Sequence, residues 1–193
     1  GFFGQISRLK GIDVLLDAAA VLDKAGVAGL RIDIHGDHAG QPPAFREAFE
    51  KRLEALPGNV RFCGPYENRR VHALMRSVHV VLVPSIWLEN SPLVIQEALL
   101  NRRPVICADI GGMAEKVRDG MDGFHFQAGS AHALASLLRG LAAKPARLGD
   151  LAATLAVPPS VTETAAANHR LYRRLLAHRS ARGAAPASKE IAA

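Results

Sequence analysis

Apolar positions follow two alternating rhythms along this chain. Short apolar stretches lie at Gly1–Ile6, Val60–Cys63, His79–Val83, Pro104–Ala108 and Phe124–Phe126, and Leu30–Gly36 alternates apolar with polar residues. Runs of this length, bounded by Gly and Pro, read as buried strands. Between them the period changes to that of a helix. Ile12, Leu15, Leu16, Ala19 and Leu22 share one face and stop at Gly26; Pro43 to Leu56 carries Phe45, Phe49 and Leu53; Glu67 to Ser77 carries Val71, Leu74 and Met75. Further helices are expected from the apolar run Leu93 to Leu100, over one or two turns from Met113 to Arg118, and over Ala131–Ala142. A final one is expected over Val161–His178, after Pro158-Pro159. Strands alternating with helices at this pace imply an α/β chain with a Rossmann-like, doubly wound parallel sheet of about six strands.

One stretch concentrates chemistry. Pro84-Ser-Ile-Trp-Leu-Glu-Asn-Ser-Pro-Leu93 runs from a strand end through an acidic loop into an apolar helix. Ser91 suits an N-cap and Pro92 the first helical position. Position 94 is Val, so no capping box occupies the first-turn amides of Leu93 and Val94, which are left to receive an anion at the positive end of the helix dipole. Glu97 lies five residues beyond Pro92, roughly 7.5 Å along the axis. Glu89 therefore sits below the helix mouth and Glu97 above it, a layout for an elongated ligand with a phosphate in the middle. Two glutamates eight apart also arise by chance. The helix decides between the readings: a carboxylate among Leu93, Val94, Ile95, Ala98, Leu99 and Leu100 needs a partner.

The 193 residues suit one domain with a sizeable core, and 49% hydrophobic content indicates a globular chain. No apolar run approaches the roughly 20 residues that span a bilayer. Cys63 and Cys107 fall at strand positions without metal spacing; they read as small core residues in a reducing, cytoplasmic setting. The net charge of +6 raises nucleic acid, but the arginines are scattered and no aromatic residues are interleaved with them. An anionic ligand or an acidic membrane surface accounts for the charge as well. The densest cluster, Arg170, Arg173, Arg174 and Arg179, lies on the final helix, a candidate contact for another domain or for a membrane surface. Residues 179–193 are Ala-rich with Gly and Pro and are expected to be a disordered tail. The chain opens inside a strand, so residues 1–178 are expected to be a domain cut from a longer protein.

Arg8 and Lys10 follow the first strand, at the end of the sheet where open α/β proteins bind ligands. Gly36 ends the second strand, which implies a plain turn or a close approach by a ligand or neighbouring backbone; His35 beside it is a lone histidine, more often structural than a ligand contact. Gly4-Gln-Ile-Ser-Arg-Leu9 does not match a dinucleotide fingerprint, and no Walker-type Gly-Lys-Ser/Thr is present.

In order, Gly4…Lys10-Gly11, Glu89-Asn-Ser-Pro-Leu93…Glu97-Ala98, Pro104-Val-Ile106 and Gly111-Gly-Met-Ala-Glu115…Asp119-Gly120…Gly123 resemble the GT-B glycosyltransferases, most closely family 4, the large retaining group. The likeness runs from residue 1 to about 178 and implies the carboxyl-terminal, nucleotide-sugar-binding half of that fold. It implies that Glu89 is catalytic, contacting donor-sugar hydroxyls near the reacting carbon with Asn90 and Ser91, and that Glu97 holds the ribose. It further implies that Ser91, Pro92 and Leu93 meet the diphosphate and that Lys10 neutralises it. The family's usual arginine after the first-strand glycine is here Gln5, and Arg8 is the candidate to compensate.

The chemistry of the residues agrees. Breaking a sugar–phosphate bond leaves new charge on the diphosphate, which Lys10 and the helix amides are placed to stabilise. Glu89 is placed to orient the donor or to stabilise an oxocarbenium-like centre. No Asp-x-Asp cluster is present, and neither a metal nor another cofactor is expected. The implied partners are a nucleoside-diphosphate sugar and a missing amino-terminal acceptor domain, without which the chain is expected to transfer nothing. The alternatives are a sugar-nucleotide epimerase on the same fold and a non-catalytic sugar-nucleotide-binding domain.

Overall fold

The computed structural model of the chain describes residues 1–183. Six strands form one sheet: β1 Phe2–Phe3, β2 Ile32–His35, β3 Val60–Gly64, β4 Val81–Val83, β5 Val105–Ala108 and β6 Gly123–Phe126. Every pairing is parallel, and the strand order is β3-β2-β1-β4-β5-β6. Phe2 stands in register with Ile34 on one side and Leu82 on the other. This is the doubly wound sheet that the alternation of periods implies.

The connecting helices are α1 Ile12–Lys24, α2 Pro43–Glu54, α3 Val71–Arg76 behind a short 3₁₀ turn, α4 Leu93–Leu100, α5 Gly111–Lys116, α6 Ala131–Ala143 and α7 Ala146–Thr154. The chain leaves β1 towards β2 but leaves β4 in the opposite direction, towards β5. Right-handed crossovers then put α1 and α4 on opposite faces of the sheet. α1 packs against α6, and α3 against α4. Between these layers Ile6, Ile12, Leu15, Ile34, Ile106 and Leu134 are fully buried.

Local details refine the sequence reading. The apolar run Gly1–Ile6 narrows to a two-residue strand, because Gly4 turns at φ 147° and the chain leaves the sheet. Gly111 and Gly112 belong to α5, which begins two residues before the expected Met113. Cys107 is buried, and burial pushes its thiol up to about 12. Cys63 is only partly buried, so it is not the core residue expected; both thiols are free. α7 was not anticipated: its apolar residues Leu148 and Leu151 are only partly buried and sit among small and polar neighbours.

The chain divides into two compact units between Val157 and Pro158, so the expected stretch 1–178 is spread over both. The second unit contains α8, Val161–Gly183, which passes the expected end at His178. Ser160 and Glu163 form its capping box: Ser160 Oγ accepts from the Glu163 amide at 3.2 Å, and a Glu163 carboxylate oxygen accepts from the Ser160 amide at 2.7 Å. Leu171, Tyr172 and Leu175 are exposed on this helix. The expected tail falls mainly on residues 184–193, which lie outside the described residues. Among the described residues no helix is long and apolar enough to cross a membrane.

Candidate active site

β1 and β4 are neighbours whose connections leave in opposite directions, so a crevice opens beyond their carboxyl ends. The loop after β1, Gly4 to Gly11, and the loop after β4, Pro84 to Pro92, form its two walls. They meet backbone to backbone. Gly11 adopts φ 73°, and a Cβ there would stand 1.8 Å from the Pro84 carbonyl oxygen, so only glycine fits. The Ile86 amide donates to the Leu9 carbonyl at 3.0 Å.

This contact brings Lys10 to Glu89. Lys10 Nζ lies 2.5 Å from Glu89 Oε1, and Ser85 Oγ donates to the same oxygen at 3.0 Å. The Glu89 side chain is 13% exposed and that of Lys10 37%, so the charge pair is half-sheltered but reachable. Lys10 is itself fixed from below, because its amide donates to Ser7 Oγ at 3.3 Å. The main chain of Glu89 is held from the other side: its carbonyl accepts the Gly112 amide at 2.6 Å.

The helix mouth lies beside this pair. Pro92 has φ −63° and ψ 120°, so it is the N-cap and α4 starts at Leu93. The expected cap at Ser91 is thus displaced by one residue, because the extended ψ of Pro92 keeps it out of the helix. No side chain caps α4, and among the described residues the Leu93 and Val94 amides have no hydrogen-bond partner. Gln5, Lys10, Glu89, Ser91, Pro92 and Leu93 line one cleft of about 330 Å³. Sequence positions five, ten and about ninety are thereby brought to a single cleft beside an uncapped helix start.

Glu97 lies one turn above Leu93 on α4, outside that cleft. Burial raises its carboxyl above the usual carboxylate range, and His72 nearby partly opposes the shift. Asn101 ties this corner together: its Nδ2 donates to the Glu97 carbonyl at 2.7 Å and lies 2.9 Å from His72 Nδ1. Glu97 also acts on Tyr66, whose phenol is raised first by burial and then by that carboxylate. Tyr66, Gly36, Asp37 and Asn68 line a second cavity of about 520 Å³, and Gln5 borders both cavities. An acid, an aromatic ring and a glycine-lined hollow therefore adjoin the anion mouth.

Two expected site residues, Arg8 and Asn90, are not among those lining the 330 Å³ cleft. Arg8 is 74% exposed, lies 3.9 Å from Asp13, and lines an adjoining cavity with Gln5, Gln41 and Phe45. Asn90 is exposed, and its carbonyl packs on Gly112, where a Cβ would stand 1.8 Å away. Gly36 meets a neighbour: a Cβ there would be 1.9 Å from the Gly4 carbonyl oxygen. His35 is buried and stacked on Phe3, with ring centroids 4.8 Å apart. Ser85, Tyr66 and His72 were missed. A serine four residues before Glu89 and an aromatic after Gly64-Pro65 were the available signals. Among the described residues no group of three or more His, Cys, Asp or Glu is placed to hold a metal.

The family model described as glycosyl transferases group 1 matches residues 1–144. A D-inositol 3-phosphate glycosyltransferase of Rhodococcus erythropolis is 36% identical over 155 residues, covering 79% of this chain and 35% of that protein. The enzyme of the same name from Mycolicibacterium paratuberculosis is 33% identical over 181 residues, covering 91% and 40%. The chain spans between 34% and 44% of the length of such relatives. Among solved structures, Anabaena HepE in complex with UDP and glucose aligns with a TM-score of 0.68 at 24% identity, over 80% of this chain and 42% of that one. Sucrose-phosphate synthase from Thermosynechococcus elongatus aligns with a TM-score of 0.71 at 25% identity, over 92% and 46%.

Proposed function

The chain belongs to the group 1 glycosyl transferases, and from that premise we propose that it is the donor-binding half of a retaining enzyme that takes its sugar from a nucleoside diphosphate. The observation that carries this reading is the Lys10–Glu89 pair beside the uncapped start of α4. A cation and free amides face one cleft, with a carboxylate at its floor. That is the donor set for a diphosphate joined to a hydroxylated ring.

The diphosphate sits against Lys10 and the amides of Leu93 and Val94, with Gln5 as a neutral donor and Ser91 and Pro92 shaping the loop. The sugar lies towards Glu89, and Asn90 and Ser91 border it. The ribose reaches Glu97 and the base the cavity of Tyr66. When the sugar–phosphate bond breaks, its electron pair stays on the diphosphate oxygen, where Lys10 and the helix end stabilise it. Glu89 faces the positive charge that develops on the sugar ring carbon. HepE structures with UDP and UDP-glucose support a ligand of this class on this fold. The acceptor and its general base belong to another part of the protein, so this chain binds donor but transfers nothing by itself. The same reading places the enzyme in the cytoplasm, with α8 as the candidate for peripheral membrane contact.

The test is a calorimetric titration of the chain with UDP, GDP and ADP and their glucose esters. Binding of at least one pair, weakened by Glu97→Ala, is the expected result. Absence of binding at millimolar nucleotide would overturn the reading.

A further inference from the structure

We propose that Ser85 is a positioning residue that holds Glu89 against the donor sugar while Lys10 serves the diphosphate; this rests on the donor-binding reading above. Ser85 is 1% exposed at the end of β4, and among the described residues its hydroxyl makes one hydrogen bond, to Glu89 Oε1. The same oxygen takes Lys10 Nζ, whereas Oε2 accepts nothing from the described residues. The carboxylate is therefore divided between a protein side and a side open to ligand.

This division has a consequence when donor arrives. A diphosphate in the cleft carries more negative charge than one carboxylate and draws the flexible lysine side chain towards itself. Glu89, at 13% exposure, then loses its strongest contact and needs a remaining donor to keep one orientation. Ser85 supplies it from a rigid place. The residue follows strand β4, and its neighbour Pro84 is packed against Gly11, where even a Cβ would not fit. The loop glutamate is thus oriented by a strand-end serine, and its Oε2 remains free for sugar hydroxyls.

The experiment separates positioning from simple loss of structure. Nucleoside diphosphates do not reach Glu89, but their glucose esters do. UDP, GDP and ADP and their glucose esters are titrated into the unaltered chain, Ser85→Ala, Glu89→Ala and the double variant. Ser85→Ala is expected to leave diphosphate affinity within about twofold and to weaken the glucose ester by roughly tenfold. In the Glu89→Ala background the serine substitution is expected to change neither, since the two act through one contact. Equal weakening of diphosphate and glucose ester by Ser85→Ala, or an effect that persists without Glu89, overturns the proposal. If the unaltered chain binds no probe, the donor-binding reading fails first, and the failure is visible without any variant.

Discussion

Lys10 and Glu89, 79 positions apart in the chain, share a 2.5 Å contact across the crevice between β1 and β4. The contact joins the two loops that diverge at the switch point of the sheet. Lys10→Ala is expected to weaken nucleoside-diphosphate binding roughly 10- to 100-fold, the worth of a charge-assisted hydrogen bond of about 1.5–3 kcal/mol. The stability of the free chain should change by less than about 1 kcal/mol, because the Lys10 side chain is 37% exposed and water replaces it. Titration calorimetry and urea unfolding read the two quantities separately. A large loss of stability with unchanged affinity would make Lys10 a strut and not a ligand.

The glycines test how the crevice is built. At Gly112 a Cβ would stand 1.8 Å from the Asn90 carbonyl oxygen, so Gly112→Ala must push the Glu89 loop away from α5. A cost of about 1–3 kcal/mol is expected, the usual penalty for overpacking. Gly11→Ala meets the Pro84 carbonyl at the same distance and also carries the strain of φ 73°, so it should cost more. Gly140 is an exposed position inside α6 with nothing near it, and Gly140→Ala should stabilise by about 0.5–1 kcal/mol. Urea midpoints order the three. If Gly112→Ala matched Gly140→Ala, the packing of α5 on the loop would be wrong.

The architecture was legible because buried strands and amphipathic helices differ in period, and the two periods alternate six times. Glu89, Ser91 and Leu93 stood out as candidates because they flank an uncapped helix start, and Lys10 because it follows a strand end; the roles proposed for them came with the family resemblance. What escaped depends on contacts. Ser85 is an ordinary serine until its hydroxyl is seen on Glu89 Oε1. Gly111 and Gly112 fell outside the helix expected from Met113 because glycine is poor in helices, yet the helix starts there and a missing Cβ lets it abut Asn90. Arg8 was the candidate to stand in for an arginine at Gln5; its side chain lies 3.9 Å from Asp13 and shares a cavity with Gln5, Gln41 and Phe45, a placement that sequence distance does not give.

His35 gives the fold a pH dependence of known sign. Burial lowers its imidazole from the ordinary value of 6.5, and the Asp33 carboxylate partly opposes the shift. The unfolded chain therefore binds the proton first. The stability linked to this group is complete above 6.5 and is lost as pH falls through the lowered folded value. The urea midpoint should drop as pH falls below about 6.5, and His35→Phe, which keeps an aromatic ring against Phe3, should show a smaller drop. Equal slopes for the two proteins would show that other histidines carry the effect.

Glu97 sets stability against binding. Burial raises its carboxyl above the ordinary value, so the folded chain holds the proton more tightly than the unfolded one. For an acid shifted this way, the linked stability is present below the unfolded pKa and is lost as pH rises through the folded value. At neutral pH the free chain carries the cost of a half-buried charge, which His72 only partly offsets. Glu97→Gln removes the charge and keeps the shape, so the ligand-free variant is expected to unfold at a higher urea concentration than the unaltered chain at pH 7. Under the proposed function the same change replaces a charged acceptor for ribose hydroxyls by a neutral one, and affinity for a nucleoside-diphosphate sugar should fall roughly tenfold. In the unaltered chain that affinity should itself decline as pH falls through the raised value, while Glu97→Gln stays flat over the same range. A variant that is less stable without ligand, or that binds donor as tightly as before, would place Glu97 in the packing of α4 and remove it from the site.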